Sequence, residues 1–342
     1  MIDYTKLAWV LKRKIFNFSK NICKGLKRPE EKLICYLLYG IAESGSCHLS
    51  KIGRALKEKI TLKKTIDRLS VGLRDFKKED AQKLQDNYNE SIRKNVDDRT
   101  VYVIDFDALL YYEYFLKARE LFIIRAKKNR DVRYNGETIN MMKLAGKYKG
   151  KYSINFKDKK GKNVYCKGKN VYCKIAVIPL SLPKYPQIPL HLVVVYGFGK
   201  EPMLLLTNLE SEDKRLANTI TKVYLMRWRI EEYFRFKKQQ YELEDFRVRS
   251  LNAIRVLHRV VTLLAGLIGV LSDQRDESLF VLELIQMSRR IYTPKKEKWK
   301  RKFFHYAVGD AFFILLRRCS VGISAFLTQP QPNPQISFLP AA

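Results

Sequence analysis

The stretch Tyr224–Lys238 reads YLMRWRIEEYFRFKK, and its spacing decides how the rest of the chain is read. Drawn as one α-helix at ~100° per residue, it puts Tyr224, Arg227, Glu231 and Lys238 within a ~60° arc. A phenol, a guanidinium, a carboxylate and an ammonium then share one narrow face, with the carboxylate set among cations. Such a face suits a glutamate holding Mg²⁺ beside phosphate oxygens gripped by Arg227 and Lys238. It equally suits a solvated helix carrying an i, i+4 ion pair from Arg227 to Glu231. Helical geometry alone leaves both open.

The segments around this stretch are read from periodicity and breakers. Asp213–Met226 is predicted helical and runs into it. Beyond Arg249 lies a long apolar helix, whose run Val260–Leu271 is too short for the ~20 residues of a membrane span and suits a buried core. Then come a basic helix near Lys295–Lys302, an amphipathic helix over Phe303–Leu316, and a charge-free, proline-rich tail, TQPQPNPQISFLPAA, expected to be disordered.

Upstream, the first 30 residues are basic and aromatic, and Pro29-Glu30-Glu31 opens a helix through about Ala42. LSKIGRALKEKITLKKTIDRLSVGL over 49–73 predicts two short helices, capped by Ser50 and Thr61. With Lys63, Lys64 and Arg68 on the second, the pair fits a helix-turn-helix or an ordinary helical hairpin. A charged linking helix covers 75–97. VYVID (101–105) is an apolar strand ending in a carboxylate. Ala108–Ala118 is a helix with Asp107 placed to cap it, and LFIIRA (121–126) a second strand. Residues 127–203 read as β-rich, with strands in KYSINF, IAVIPL and LHLVVVYGF, and Met203–Thr207 returns as a strand. GKNVYCK at 161–167 recurs at 168–174, a repeat that lengthens one hairpin or records a replication slip.

The 342 residues carry 66 Lys and Arg against 35 Asp and Glu, a net charge of +31. That excess points to a polyanion partner, with nucleic acid first, an anionic membrane surface second and a ribosomal or structural role third. An apolar content of 46% permits a packed core. The six cysteines form no C-x-x-C pair and, with four histidines, no zinc spacing, so reduced thiols in a cytoplasmic protein are expected.

The pattern Y-x2-R-x3-E-x6-K, together with the surrounding YLMRWRIEEYFRFKKQ, resembles the signature of bacterial insertion-sequence DDE transposases of the insertion-sequence-4 group. The resemblance covers roughly residues 30–315. It implies an α/β, RNase H-like (retroviral integrase-like) core over 99–126 and 203–272. A helical DNA-binding region (1–98), a β-rich insertion (127–202), a C-terminal helical region (273–326) and the tail (327–342) flank it. By resemblance Glu231 is a catalytic, metal-binding acid, and Tyr224, Arg227 and Lys238 handle DNA phosphates. Mg²⁺ or Mn²⁺, double-stranded transposon-end DNA, a homodimer and a nucleoid location are implied as well, with no membrane.

One part of the pattern departs from that family. VDDRTVYVID resembles the lead-in to the first catalytic aspartate, whereas FDALLYYEYFLKARELFIIRAKKNRD resembles the stretch just after the second. The D-R-G-[FY]-D motif is not present, and the two halves are joined directly. Asp105 therefore stands for the first acid, the second or a fusion of both, and is the expected metal-binding partner of Glu231. The chain reads as an internally deleted copy with a truncated core, impaired in metal-dependent cleavage and strand transfer, or as a non-catalytic DNA-binding remnant. The deletion leads us to expect a core sheet of two or three strands.

Overall fold

A computed structural model of the chain describes residues 4–93, 100–104, 109–156, 171–209, 213–245, 247–273, 278–291, 304–318 and 322–323. Asp105 and Asp107, Asp97 and Asp98, the basic segment 295–302 and the tail 327–342 lie outside the described residues. The chain divides into two units, 95–232 and the combination of 1–94 with 233–342.

The unit that comes first in chain order begins with five helices: α1 (Tyr4–Ile22), α2 (Arg28–Ser44), α3 (Leu49–Leu56), α4 (Leu62–Asp75) and α5 (Lys78–Arg93). Helix α2 has Pro29 and two acids in its first turn. It stops at Gly45, whose φ of 64° lets its N–H reach Ile41 O. Thr61 caps α4 by accepting from Lys64 N–H. Ser50 does not cap α3, a correction to the sequence reading. The helix starts two residues earlier than that cap would place it, at Leu49 behind His48, whose own N–H donates to Ser46 Oγ. Helices α2 and α3 cross closely, since a Cβ on Gly40 would lie 2.5 Å from Ile52 Cγ2.

The second unit is built on one sheet. Its elements are β1 (Val101–Ile104), α6 (Leu109–Ala118), β2 (Leu121–Arg125), β3 (Asp131–Tyr134), β4 (Glu137–Asn140), α7 (Met141–Gly146), β5 (Tyr152–Phe156), β6 (Val171–Leu182), β7 (Tyr185–Tyr196), β8 (Met203–Thr207) and α8 (Lys214–Leu225). The eight strands run β1-β2-β8-β7-β6-β3-β4, with β5 also paired to β6. Only β1 and β2 run parallel among the described pairings, joined by α6 as a crossover should join them. The expected sheet of two or three strands is thus corrected. The long antiparallel strands of 127–203 do not stand apart, because β8 pairs with β2 on one side and β7 on the other.

Side chains alternate across this sheet with period two. Phe122, Ile124, Leu192, Val194, Leu204 and Leu206 face one core with Tyr112 and Phe115 of α6 and Leu144 of α7. Ile123, Val193, Val195, Met203 and Leu205 face the other with Ala217, Ile220 and Tyr224 of α8. Three layers result, helix on sheet on helix. Asn135-Gly136 turns β3 into β4 with φ of 50° and 86°, the two positive values a tight primed turn demands. The sequence reading passed over this hairpin and the short helix α7 next to it. The GKNVYCK repeat falls at the β5–β6 hairpin. Its first copy lies outside the described residues, and VYCK of the second opens β6.

The chain returns to the first unit through α9 (Arg229–Tyr241), α10 (Leu251–Asp273), α11 (Leu279–Ile291) and α12 (Phe304–Arg318). By length and apolarity α10 would pass for a membrane span. It serves here as the unit's central helix, packed on α2, α4 and α12, with Leu257, Val260, Val261, Leu263, Leu264 and Ile268 fully buried. The described cysteines, at 23, 35, 47 and 173, are all buried, and burial pushes the Cys23 and Cys47 thiols up to about 12.

Two outcomes test this packing. Leu205→Ala empties a fully buried position between β2 and β7 and should destabilise the sheet unit by about 2–5 kcal/mol, read from its denaturant midpoint. Burial pushes His305 down to about 4, where it packs edge-on against Phe236 with centroids 4.9 Å apart. Its unfolded value is about 6.5, so the unfolded chain takes up the extra proton. The contribution is complete above about pH 6.5 and is lost as pH falls toward 4. The wild-type melting temperature should therefore fall more steeply over that window than that of His305→Phe.

Candidate functional site

The stretch Tyr224–Lys238 is not one continuous α-helix. Helix α8 ends at Leu225, and Met226–Trp228 form a 3₁₀ turn before α9 starts at Arg229. Such turns commonly tighten the last turn of an α-helix. The tighter winding advances the chain by about 20° more per residue than an α-helix does. Over three residues that is about 60°, which moves Tyr224 from one side of Glu231 to the other and leaves all four positions within a ~60° arc.

Tyr224 sits in the last turn of α8 and is only 3% exposed, its ring among Ala217, Ile220 and the β7 side chains. Arg227 lies in the 3₁₀ turn, and Glu231 in the first turn of α9, where amide dipoles favour a negative charge. Arg227 Nη2 stands 3.4 Å from Glu231 Oε1, and the glutamate side chain keeps 59% of its surface in solvent. An exposed pair of this kind contributes only ~0.3–0.5 kcal/mol. Its carboxylate oxygens stay open to water, a cation or a donor on a ligand. The structure thus brings Arg227 and Glu231 together.

Lys238 lies near the C-terminal end of α9, half-exposed, with Nζ on Glu244 Oε1. That acid partner was not singled out in the sequence. Its neighbour Lys237 is buried, with Nζ 3.3 Å from Thr262 Oγ1 and 4.6 Å from the Tyr233 ring centroid. Burial lowers the Lys237 pKa. The adjacent lysines of FKK therefore divide, one inside the helical unit and one facing solvent.

Asp105, the expected partner of Glu231, lies outside the described residues. Among the described residues no three His, Cys, Asp or Glu side chains gather as a metal site would require. The described donors near Glu231 alone do not fit two-metal chemistry, which needs about three converging carboxylates.

On the pair α3–α4, Lys63 and Lys64 are exposed at the start of the second helix. Arg68 is engaged within the unit, with its guanidinium on Glu58 and over the Tyr36 ring at 5.1 Å. No periodic signal links Arg68 to Glu58, so the sequence grouped it with the free lysines.

Comparison with curated proteins gives no match. A protein-family model described as the transposase DDE domain matches residues 69–265, more than half of the chain. That span takes in α8, the 3₁₀ turn, α9 and every strand of the sheet. The chain belongs to the DDE transposase family.

Proposed function

We propose that this chain is a transposase of the insertion-sequence-4 type that binds transposon-end DNA and is impaired in cleaving it. Membership of the DDE family carries the reading, and a net charge of +31 supports a phosphate-rich partner. In this reading Arg227 and Lys238 bear on DNA phosphates and Tyr224 supports them from the core. Asp105 and Glu231 are the acids left to hold Mg²⁺ or Mn²⁺. Double-stranded DNA is the partner, and a cytoplasmic, nucleoid-bound location goes with it.

A second reading, a non-catalytic DNA-binding remnant, is favoured by the position of β1. Among the described strands β1 stands at the sheet edge with one neighbour, β2, and none of its four residues is fully buried. An RNase H-like core buries its central strands under helices on both faces. A strand delivering an acid from an edge is what loss of its former neighbours would leave. That position supports an internal deletion between the two family aspartates.

DNA binding is expected to weaken steeply with salt, since each neutralised phosphate releases counterions. Arg227→Ala and Lys238→Ala should each lower affinity for nicked or end DNA more than Lys24→Ala, measured by fluorescence anisotropy. Equal losses at all three positions would make the charge generic. Mg²⁺- or Mn²⁺-dependent nicking should be undetectable. Robust nicking abolished by Asp105→Ala and by Glu231→Ala would overturn the impaired reading.

A further inference from the structure

The helical unit formed by 1–94 and 233–342 contains a cavity of about 440 Å³ that the signature helix does not explain. It lies where the start of α3, the second half of α4 and the segment leading into α10 converge. Arg74, Arg247 and Arg249 line it together with Ser50, Ser70 and Ser250, and no carboxylate is among its lining residues. We propose that this cavity seats a backbone phosphate of duplex DNA, with Arg249 as its principal contact. The inference rests on the DNA-binding reading above and adds a second place where the backbone is held.

Three observations favour a phosphate here. The first is positive charge in a lining without a carboxylate, two of its three arginines being paired with acids outside that lining. Arg74 is engaged outside it by Asp75 at 2.8 Å, and Arg247 stands 3.8 Å from Asp245. Arg249 is exposed and makes no ion pair among the described residues. A guanidinium offers a planar fork that matches two phosphate oxygens at once.

The second is the supply of neutral donors. Serine hydroxyls line the cavity, and the 23-residue helix α10 begins at its wall. Ser250 Oγ accepts from Ala253 N–H there, so Ser250 caps the helix whose positive dipole end faces this region.

The third is rigidity, which lowers the entropy lost on binding. Asn252 Nδ2 donates to the carbonyls of Leu73, Arg74 and Phe76 and so ties the start of α10 to the end of α4. On the other side, Glu242 accepts from Ser46 Oγ and from Lys51 Nζ, the latter at 2.8 Å. His48 Nε2 lies 2.8 Å from Asp245 O. The segment carrying Arg247 and Arg249 is thereby fastened at both ends. Lys51 and Ser46 hold the Glu242 carboxyl below its ordinary pKa, so this fastening persists at neutral pH.

The test uses the full chain and a labelled mixed-sequence DNA duplex. Arg249→Ala should weaken binding about tenfold and lower the slope of log Kd against log salt by about one. Arg93→Ala, an exposed arginine at the end of α5, should do neither. In unmutated protein, duplex DNA should shield Arg249 from phenylglyoxal, read by peptide mass spectrometry, and leave Arg93 reactive. Inorganic phosphate should shield Arg249 only at far higher concentration. Equal effects of Arg249→Ala and Arg93→Ala, or an Arg249 left reactive under saturating DNA, would overturn the proposal while leaving DNA binding standing. Protection by single-stranded RNA and not by duplex DNA would overturn it in favour of an RNA ligand. Wild-type protein that does not bind DNA would remove both readings.

Discussion

Strand β8 is the constraint on which the sheet unit depends. All five of its residues are buried, and its two edges are taken by β2 and β7. Without it, the parallel pair β1–β2 would be a two-stranded fragment with an apolar face on each side, and the long hairpin β6–β7 would be a separate ribbon. With it, α6 and α8 cover opposite faces of one continuous surface. The chain fastens this junction with side chains at the strand end. Thr207 Oγ1 donates to Phe122 O, and Asn208 takes Phe122 N–H on its Oδ1 while donating to Glu120 O from Nδ2. The start of β2 is thus held by a polar clasp that a purely apolar junction would lack.

Contacts within the fold have sorted the cations of this basic chain into two groups. Lys237 is buried against the Tyr233 ring and the Thr262 hydroxyl, and Arg68, though exposed, is held by Glu58 and the Tyr36 ring. Lys238, Arg247, Arg249, Lys63 and Lys64 remain at the surface. A count of Lys and Arg overstates the charge available to a polyanion, since the first group is already committed. The surviving surface cations sit on short, well-fastened segments, and this suits them to a partner whose charges recur at fixed spacing.

Much of the fold was legible in local pattern. The limits of α2, α4, α6, α8 and β8 come from caps, proline, acids in first turns and short apolar runs, all of which act within a few residues. Two kinds of feature were not legible. Ser50 suits a cap by its type, yet the backbone enters α3 two residues sooner, where His48 N–H donates to Ser46 Oγ across the corner. The sheet's size was misjudged because strand pairing is a long-range property. Nothing within 127–203 says that its last strand, β7, will lie beside β8 and so join the sheet. Within the site, spacing correctly joined Arg227 to Glu231, since i, i+4 neighbours survive a small change of winding. It does not carry the burial of Tyr224, which the packing of α8 on the sheet decides.

The repeated heptapeptide has a consequence for how such a chain tolerates change. An odd number of residues added inside a strand would turn every later side chain to the opposite face. In β6 that would send Ile175 and Ile178 to the wrong cores. Strands β5 and β6 keep an unbroken register from Tyr152 with Ile175 to Phe156 with Val171. A copying slip of whole codons at a hairpin tip costs little folding energy, because loop-closure entropy grows only with the logarithm of length. The tip of this hairpin is therefore a place where the gene can gain length while the protein keeps its register.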